Sequence, residues 1–172
     1  FTHPLRFAKV CFWLLTLLAH SPTEFIKAIY ELTISCCFAG HCRRFSAEHI
    51  HVHFASRSFS LGLMMRILTG LPISCTVHAF DIFTRSPSSL RIRLSKCKFI
   101  AAVSQFNIEY LRNTCGKSVA DLCQVVHCGI DAERFSSVSR QPEAGRIICV
   151  CRLSPKKGLD YAIEACAKLR DN

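Results

Sequence analysis

The stretch KFIAAVSQFNIEYLRNT, residues 98–114, contains the unit from which the fold can be predicted. It begins with an apolar run that ends at Val103 and has the length and composition of a buried strand. After Ser104, apolar residues recur at helical spacing as far as Thr114. Serine is a preferred N-cap residue, so we predict that Ser104 separates a strand from a helix and caps that helix.

The same order of strand and helix recurs along the chain. We predict strands at 49–54, 73–78, 98–103, 122–126 and 146–151, and helices at 5–19, 22–45, 58–69, 88–97, 105–114 and 159–170. Gly70 is predicted to end the third of these helices, because glycine commonly terminates helices. Short apolar strands that alternate with helices are typical of a parallel sheet covered by helices. We therefore predict an α/β fold with a parallel sheet.

Composition limits the possible partners. Half of the 172 residues are apolar, which is enough for a packed core, and the formal charge is +10. A surface this basic attracts nucleic acids, anionic lipids or phosphorylated small molecules. The 12 cysteines include no Cys-x-x-Cys pair, which argues against a zinc ribbon or a thioredoxin-like site. Many of them lie in apolar runs, so we predict buried free thiols in a reducing cytosol.

The ends of the predicted strands indicate where a ligand would bind. Open parallel sheets bind their ligands beyond the carboxyl ends of the strands. The residues at or just after those ends are His53, His78, Ser104, Gly129 and Arg152. Gly129 is predicted to adopt a positive φ in the loop that follows its strand, and its neighbour Asp131 is a candidate for fixing a hinge.

Three histidines alternate in HIHVHFAS, residues 49–56, which places them on one face of the predicted strand. Successive side chains on one face are about 6.6 Å apart, so His49 and His53 are too far apart to share one metal ion. We therefore predict that His49 and His51 are structural. His53 lies at the strand end, where a ligand would bind.

A loop rich in cations follows the last predicted strand. In VCRLSPKKGLD, residues 150–160, Arg152 and Lys157 lie between a strand and a helix. An arginine fork and a lysine ammonium can straddle a diphosphate and counter the charge that develops on it. From the spacing alone, an ordinary solvated turn is the alternative.

Several motifs, taken together and in order, resemble those of one enzyme family. VCRLSPKKGLD resembles V-G-R-L-x-x-x-K-G, VVHCGIDAERF (125–135) resembles N-G-V-D-x-x-x-F, CTVHAFDIF (75–83) resembles T-x-H-x-x-D, and FIAAVSQFNIEYL (99–111) resembles a-V-S-x. These motifs belong to the retaining family 4 glycosyltransferases, also called glycosyltransferase group 1, which have the GT-B fold. HIHVHFAS resembles the H-x-H-F-A of the bacterial exopolysaccharide, or colanic-acid, branch of that family. The resemblance extends from about residue 40 to residue 172.

The resemblance implies two Rossmann-like domains with a cleft between them. Residues 1–131 would form part of the N-terminal, acceptor-side domain, residues 132–145 the linker, and residues 146–172 the beginning of the nucleotide-sugar-binding domain. The acidic E-x7-E motif of the family would lie beyond Asn172, so we expect a fragment that is inactive alone. Cys151 stands where the family usually has glycine.

The resemblance also implies roles for individual residues. It assigns His78 as the catalytic histidine, Arg152 and Lys157 to the donor diphosphate, His53, Asp81 and Ser104 to the cleft and the acceptor, and Gly129 and Asp131 to the hinge. For Asp81, a cap or a salt bridge is the alternative. Neither a cofactor nor a metal ion is expected.

The implied reaction moves a sugar from a nucleotide-diphosphate sugar to a polysaccharide or lipid-linked acceptor, with retention of anomeric configuration. The basic stretch 85–98 is predicted to form an amphipathic helix that contacts the inner face of the cytoplasmic membrane, and a solvated basic face is the alternative. The protein is predicted to be cytoplasmic. Two alternatives are a relative of the GT-B nucleotide-sugar epimerases and a non-catalytic basic fragment that binds nucleic acid. The second is disfavoured, and we expect no nucleic-acid partner, because the sequence has no helix-turn-helix, RRM or KH signature.

Overall fold

The computed structural model describes residues 4–20, 22–135 and 143–170. Its contacts divide the chain into Phe1–Gly129 and Ile130–Asn172, here called the first and second units. The first unit contains α1 (Pro4–His20), α2 (Pro22–Arg44), β1 (Ile50–His53), α3 (Arg57–Thr69), β2 (Ile73–Val77), α4 (Phe80–Phe83), α5 (Pro87–Leu94), β3 (Ile100–Ala102), α6 (Gln105–Cys115), α7 (Lys117–Ala120) and β4 (Cys123–Val125). The second unit contains 3₁₀ turns at Ala132–Phe135 and Pro155–Lys157 and helix α8 (Leu159–Arg170).

The four strands of the first unit form one parallel sheet in the order β1-β2-β3-β4. Val52 lies opposite Cys75, and Cys75 lies opposite Ile100. The predicted α/β fold with a parallel sheet is therefore confirmed. Because each strand is added to the same edge, right-handed crossovers place the connecting helices on one face of the sheet. Along β1 the side chains alternate between buried and exposed, and His51 and His53 are exposed.

Helix α3 packs very closely on the sheet. A Cβ atom at Gly62 would lie only 2.6 Å from Val52 Cγ2 and 3.0 Å from Ile73 Cδ1. Glycine at this position therefore permits the helix and the two strands to approach each other. The main core lies between these layers and contains Ile50, Val52, Phe59, Ile73, Cys75, Val77, Ile82, Leu90, Leu94, Ile100, Ala102, Ile108, Leu111 and Val119.

Helices α1 and α2 cover the other side of α3. A smaller cluster of Val10, Ala28, Ala39, Met64 and Leu68 fills the space between these helices. The predicted end of α3 is confirmed, because Gly70 adopts a left-handed conformation with φ 80°. The Arg6 guanidinium donates a hydrogen bond to the Thr69 carbonyl at 2.6 Å, which satisfies one of the orphan carbonyls at that helix end.

Elements in the first unit differ from the predicted bounds by a few residues only. Helices α4 and α7 are missing from the prediction, because elements of four residues are too short to show a helical period. None of the helices within the described ranges combines the length and the apolar character that crossing a bilayer requires.

The predicted strand at 146–151 is wrong for the described structure, where this segment has no strand assignment. A strand needs a neighbour with which to share its backbone hydrogen bonds, and the described part of the second unit contains no strand. The apolar side chains of the segment are consequently exposed, and Val150 is 93% accessible. Much of the predicted linker, residues 136–142, lies outside the described residues.

Candidate functional site

The carboxyl edge of the sheet brings together predicted site residues from three neighbouring strands. His53 ends β1, His78 follows β2, and Ser104 follows β3 after Val103. The ring centroids of His53 and His78 are 6.0 Å apart, and those of Phe54 and His78 are 4.4 Å apart. Because the strands are parallel, all four end on the same side of the sheet and form this edge.

Asp81 connects the loops after β1 and β2. Its side chain is only 1% exposed. Oδ2 accepts a hydrogen bond from the Ala55 N–H at 2.8 Å, and Oδ1 accepts one from the His78 N–H at 3.0 Å. A carboxylate that is buried and bonded in this way positions the two loops. This geometry favours the alternative of a cap, and a contact between Asp81 and an acceptor hydroxyl stays a prediction.

Ser104 and Asn107 hold the other side of the same loop. Ser104 Oγ accepts a hydrogen bond from the Asn107 N–H at 3.3 Å, which confirms the predicted N-cap. Ser104 Oγ also lies 3.0 Å from Asn107 Oδ1, to which it donates. The Asn107 amide then donates to the His78 carbonyl. Sequence reasoning missed buried Asn107, although its position three residues after a serine cap is where a capping box places a polar partner.

His78 carries an unmet hydrogen-bonding group. Within the described ranges, its Nε2 is the one buried side-chain nitrogen or oxygen without a hydrogen-bond partner. Buried polar atoms are almost always bonded, and each exception indicates strain, a function or a missing ligand. A hydroxyl group supplied by a substrate would satisfy this nitrogen, which donates or accepts depending on the tautomer.

Phe54, the ring packed on His78, has a strained backbone. Its φ is 70°, which is an outlier for a bulky residue. The conformation is held by its N–H, which donates to the Thr76 carbonyl at 2.9 Å, and by Ser58 Oγ, which donates to the His53 carbonyl at 2.8 Å. Strained residues of this kind cluster at binding sites. The ring of the strained Phe54 thus contacts the ring of His78, whose Nε2 has no hydrogen-bond partner. This combination makes the pair the strongest candidate site in the first unit.

The histidines of β1 are joined to β2 by hydrogen bonds. His49 Nε2 and His51 Nδ1 each lie 2.7 Å from Ser74 Oγ, and His51 Nε2 lies 2.8 Å from Thr76 Oγ1. These cross-strand contacts support the predicted structural role of His49 and His51. Among the residues that the structure describes, no three His, Cys, Asp or Glu side chains are placed to hold one metal ion.

The stability of the first unit should depend on the protonation of His51. Partial burial, and then the charges of His53 and His49, lower the pKa of His51 from its ordinary value. The unfolded chain therefore takes up the proton first as the pH falls, so the contribution of His51 to stability is complete above about pH 6.5 and is lost below it. We expect a lower urea midpoint at pH 5.5 than at pH 7.5, and a smaller difference for His51→Gln.

The matched control for that prediction is His127→Gln. His127 is exposed and its Nδ1 lies 3.1 Å from the Val103 carbonyl, away from the cluster on β1. This variant should keep the pH dependence of the wild type. An undiminished difference between the two pH values in His51→Gln would contradict the assignment.

The predicted diphosphate-binding residues lie on one short loop of the second unit. Arg152 precedes and Lys157 ends the 3₁₀ turn Pro155–Lys157, and Gly158 then adopts φ 63° before α8 begins. Both cationic side chains are exposed. Among the described contacts, neither has an ion pair or a side-chain hydrogen bond. The loop thus presents two cations that are available to an anion.

The predicted hinge residues differ in outcome. The predicted positive φ of Gly129 is wrong, since the glycines with positive φ in the described ranges are Gly70, Gly116, Gly145 and Gly158. A Cβ at Gly129 would meet no atom within 4 Å. Residues other than glycine would therefore fit at this position. Asp131 caps the following 3₁₀ turn, because its Oδ1 accepts a hydrogen bond from the Glu133 N–H at 3.2 Å. Its role in a hinge stays a prediction.

Comparison with known proteins gives one family. The family described as Glycosyltransferase Family 4 matches residues 21–134, which is more than half of the chain and includes the whole sheet. A comparison with curated proteins gave no match. The matched range contains His53, His78 and Ser104, and it ends before Arg152 and Lys157.

Proposed function

Since the chain belongs to glycosyltransferase family 4, we propose that it is part of a retaining glycosyltransferase of the exopolysaccharide type. The enzyme moves a sugar from a nucleotide-diphosphate sugar to a polysaccharide or lipid-linked acceptor in the cytoplasm. The observation that carries this proposal is the buried, unbonded Nε2 of His78 at the carboxyl edge of the sheet. Sugars offer many hydroxyl groups, which suit a nitrogen that can either donate or accept.

In this proposal His78 is the catalytic residue that holds the transferred sugar. Its backbone is fixed on both sides, because Asp81 accepts from its N–H and Asn107 donates to its carbonyl. A fixed histidine can keep the sugar oriented while the bond to the leaving phosphate breaks, and orientation of this kind lowers the barrier. His53 stacks on the same ring and belongs to the sugar-binding edge.

Arg152 and Lys157 hold the donor diphosphate in this proposal. As the bond between the anomeric carbon and the diphosphate breaks, negative charge develops on the phosphate oxygens. An arginine fork and a lysine ammonium stabilise that charge. Since two cationic side chains supply this stabilisation, we propose that transfer needs no metal ion.

Removing either cation should weaken nucleotide binding. We expect Arg152→Ala and Lys157→Ala each to raise the Kd for UDP or GDP at least about tenfold, because a charge-assisted hydrogen bond contributes about 1.5–3 kcal/mol. Lys156→Ala is the matched control, since Lys156 is an exposed cation in the same turn that the proposal does not use. Isothermal titration calorimetry measures nucleotide binding by all three variants.

Transfer itself is tested with UDP-sugars and GDP-sugars as donors, with the anomer of the product determined by NMR. Retained configuration and activity in the presence of a chelator support the proposal. Equal losses in the Lys156→Ala control would contradict the assignment of the loop. If nonspecific DNA binds in a salt-dependent manner while UDP and GDP do not bind, the nucleic-acid alternative is favoured instead.

The membrane contact predicted for 85–98 needs a correction in its geometry. Only Pro87–Leu94 is helical, and Leu90 and Leu94 are fully buried in the core of the first unit. Leu90 and Leu94 are therefore not available to a lipid surface. A groove of about 270 Å³ beside it offers a different surface, with an apolar floor and a cationic rim, and it is lined by Ser60, Leu63, Met64, Arg66, Ile67, Ile92, Arg93 and Lys96.

We propose that this groove, which α3 shares with Ile92, Arg93 and Lys96 of the basic stretch, is the surface that contacts anionic lipid. Ile92 is 66% exposed, and the cations around it complement a phosphate headgroup. Co-sedimentation with vesicles should therefore increase with their phosphatidylglycerol content and fall in Arg66→Ala. Equal binding to vesicles of phosphatidylcholine alone would contradict the proposal.

A further inference from the structure

Two thiols stand side by side next to the cationic loop of the second unit. The sulfur atoms of Cys149 and Cys151 are 3.6 Å apart. Cys149 is exposed and Cys151 is half-buried. Cys151 directly precedes Arg152, and it occupies a position at which the motif resembled by this loop has glycine. The pair is therefore a feature of this chain that the family motif does not explain.

Two cysteines of the first unit are protected by burial. Burial raises the pKa of Cys97 to about 12 and that of Cys123 to about 11. Thiols with such pKa values form little thiolate, which is the nucleophile in disulfide exchange. The pKa of Cys151 is raised mainly by its hydrogen bond with Cys149, and the nearby Lys157 opposes that shift. Accessible sulfur atoms that share a hydrogen bond in this way are placed for exchange.

The pair can close into a disulfide with a small movement. A disulfide has an S–S distance of about 2.05 Å, so the two sulfur atoms must approach by roughly 1.5 Å. Residues 146–151 have no strand assignment, so no ladder of hydrogen bonds holds them apart. The ring closed by neighbours in a Cys-x-Cys sequence is small, and strained disulfides are more easily reduced. Such a bond would be reversible.

We propose that Cys149 and Cys151 form a redox-sensitive modification site that controls the loop of Arg152 and Lys157. The oxidant is a low-molecular-weight disulfide such as oxidised glutathione. The Cys149 thiolate attacks one sulfur of that disulfide and releases one thiolate, which takes up a proton. Cys151 then loses its proton, attacks the mixed disulfide and releases the second thiol, so that two protein thiols and one small disulfide become one protein disulfide and two small thiols.

Closing this bond would constrain the backbone directly before Arg152. We therefore expect the oxidised protein to bind the donor diphosphate more weakly, and this consequence rests on the proposed function. The modification itself does not. The two parts can be measured separately, and the chain offers a matched control for each.

The modification is measured by mass spectrometry after incubation of the full chain with oxidised glutathione, trapping with N-ethylmaleimide and digestion with trypsin. Cleavage after Arg146 and Arg152 releases a peptide that contains Cys149 and Cys151 and no other cysteine. We expect this peptide to be lighter by two hydrogen atoms and to carry no adduct. The peptide Gly158–Lys168 contains only Cys166, which is exposed, and it should carry one glutathione.

The variant Cys149→Ser supplies the second control. Its remaining thiol at Cys151 should carry a glutathione and form no internal disulfide. If the wild-type peptide carries two adducts while the Cys166 peptide is modified with glutathione, the modification site is overturned. Formation of the internal disulfide in the wild type, and not in Cys149→Ser, supports the modification site.

The consequence for the loop is measured as the Kd for UDP or GDP before and after oxidation. We expect a rise of about tenfold in the wild type, similar to the loss of one charge-assisted contact. We expect no rise in the double variant Cys149→Ser, Cys151→Ser, which can form neither the disulfide nor an adduct at this site. If Arg152→Ala binds the nucleotide weakly but oxidation leaves the Kd of the wild type unchanged, the proposed control of the loop is overturned. If the disulfide forms while neither nucleotide binds in either state, the modification site is supported and the proposed function fails.

Discussion

The variant Asp81→Asn should lose about 2–4 kcal/mol of unfolding free energy, because a buried backbone N–H is left without an acceptor. Both Asp81 oxygens accept hydrogen bonds from main-chain N–H groups, one at Ala55 and one at His78. An asparagine offers one oxygen and one NH₂ group. Its NH₂ group would face one of these donors, and a side chain that is 1% exposed has no water nearby to replace the lost bond.

Urea denaturation of Asp81→Asn beside Asp121→Asn measures this loss. Asp121 is exposed and lies 4.0 Å from Arg112, so its change should alter stability by no more than about 0.5 kcal/mol. Amide hydrogen exchange gives a local readout, since the Ala55 and His78 amides should exchange faster in Asp81→Asn. If the two variants are equally stable, the carboxylate does not hold the loops together.

Two helical glycines should respond to substitution with opposite signs. At Gly62, a Cβ atom would meet Val52 at 2.6 Å and Ile73 at 3.0 Å, so the helix or the sheet must move. Overpacking of this kind costs about 1–3 kcal/mol, against a gain in helix propensity of about 1 kcal/mol. We expect a net loss in Gly62→Ala, and a loss of about 3 kcal/mol or more in the larger variant Gly62→Leu.

Gly40 in α2 is the matched control. A Cβ atom there would meet nothing within 4 Å, so only the backbone effect remains. Gly40→Ala should stabilise the protein by about 0.5–1 kcal/mol. Thermal unfolding of the variants compares them directly, and a stabilised Gly62→Ala would show that α3 can shift away from the sheet at little cost.

The sequence allowed the elements of the first unit to be predicted because their signals are local. Periodicity located the strands and the longer helices, and side-chain chemistry located the cap at Ser104 and the helix end at Gly70. These features depend on residues close to one another in the chain.

The remaining features depend on contacts between distant segments. Asp81 meets Ala55 only because β1 and β2 are neighbours, and Asn107 meets His78 only because β2 and β3 are neighbours. The apolar run at 146–151 shows strand propensity, but a strand also needs a partner. The cations of α5 suggest a membrane helix, whereas Leu90 and Leu94 of the same helix are buried in the core.

The clamp made by Asp81 recognises the main chain alone. Its two partners are N–H groups, which every residue except proline possesses. The exposed side chains that flank these groups, such as those of His53 and Phe54, can therefore be exchanged without loosening the clamp. The group that maintains the architecture of the two loops is therefore separate from the exposed side chains to which the proposed function assigns the sugar.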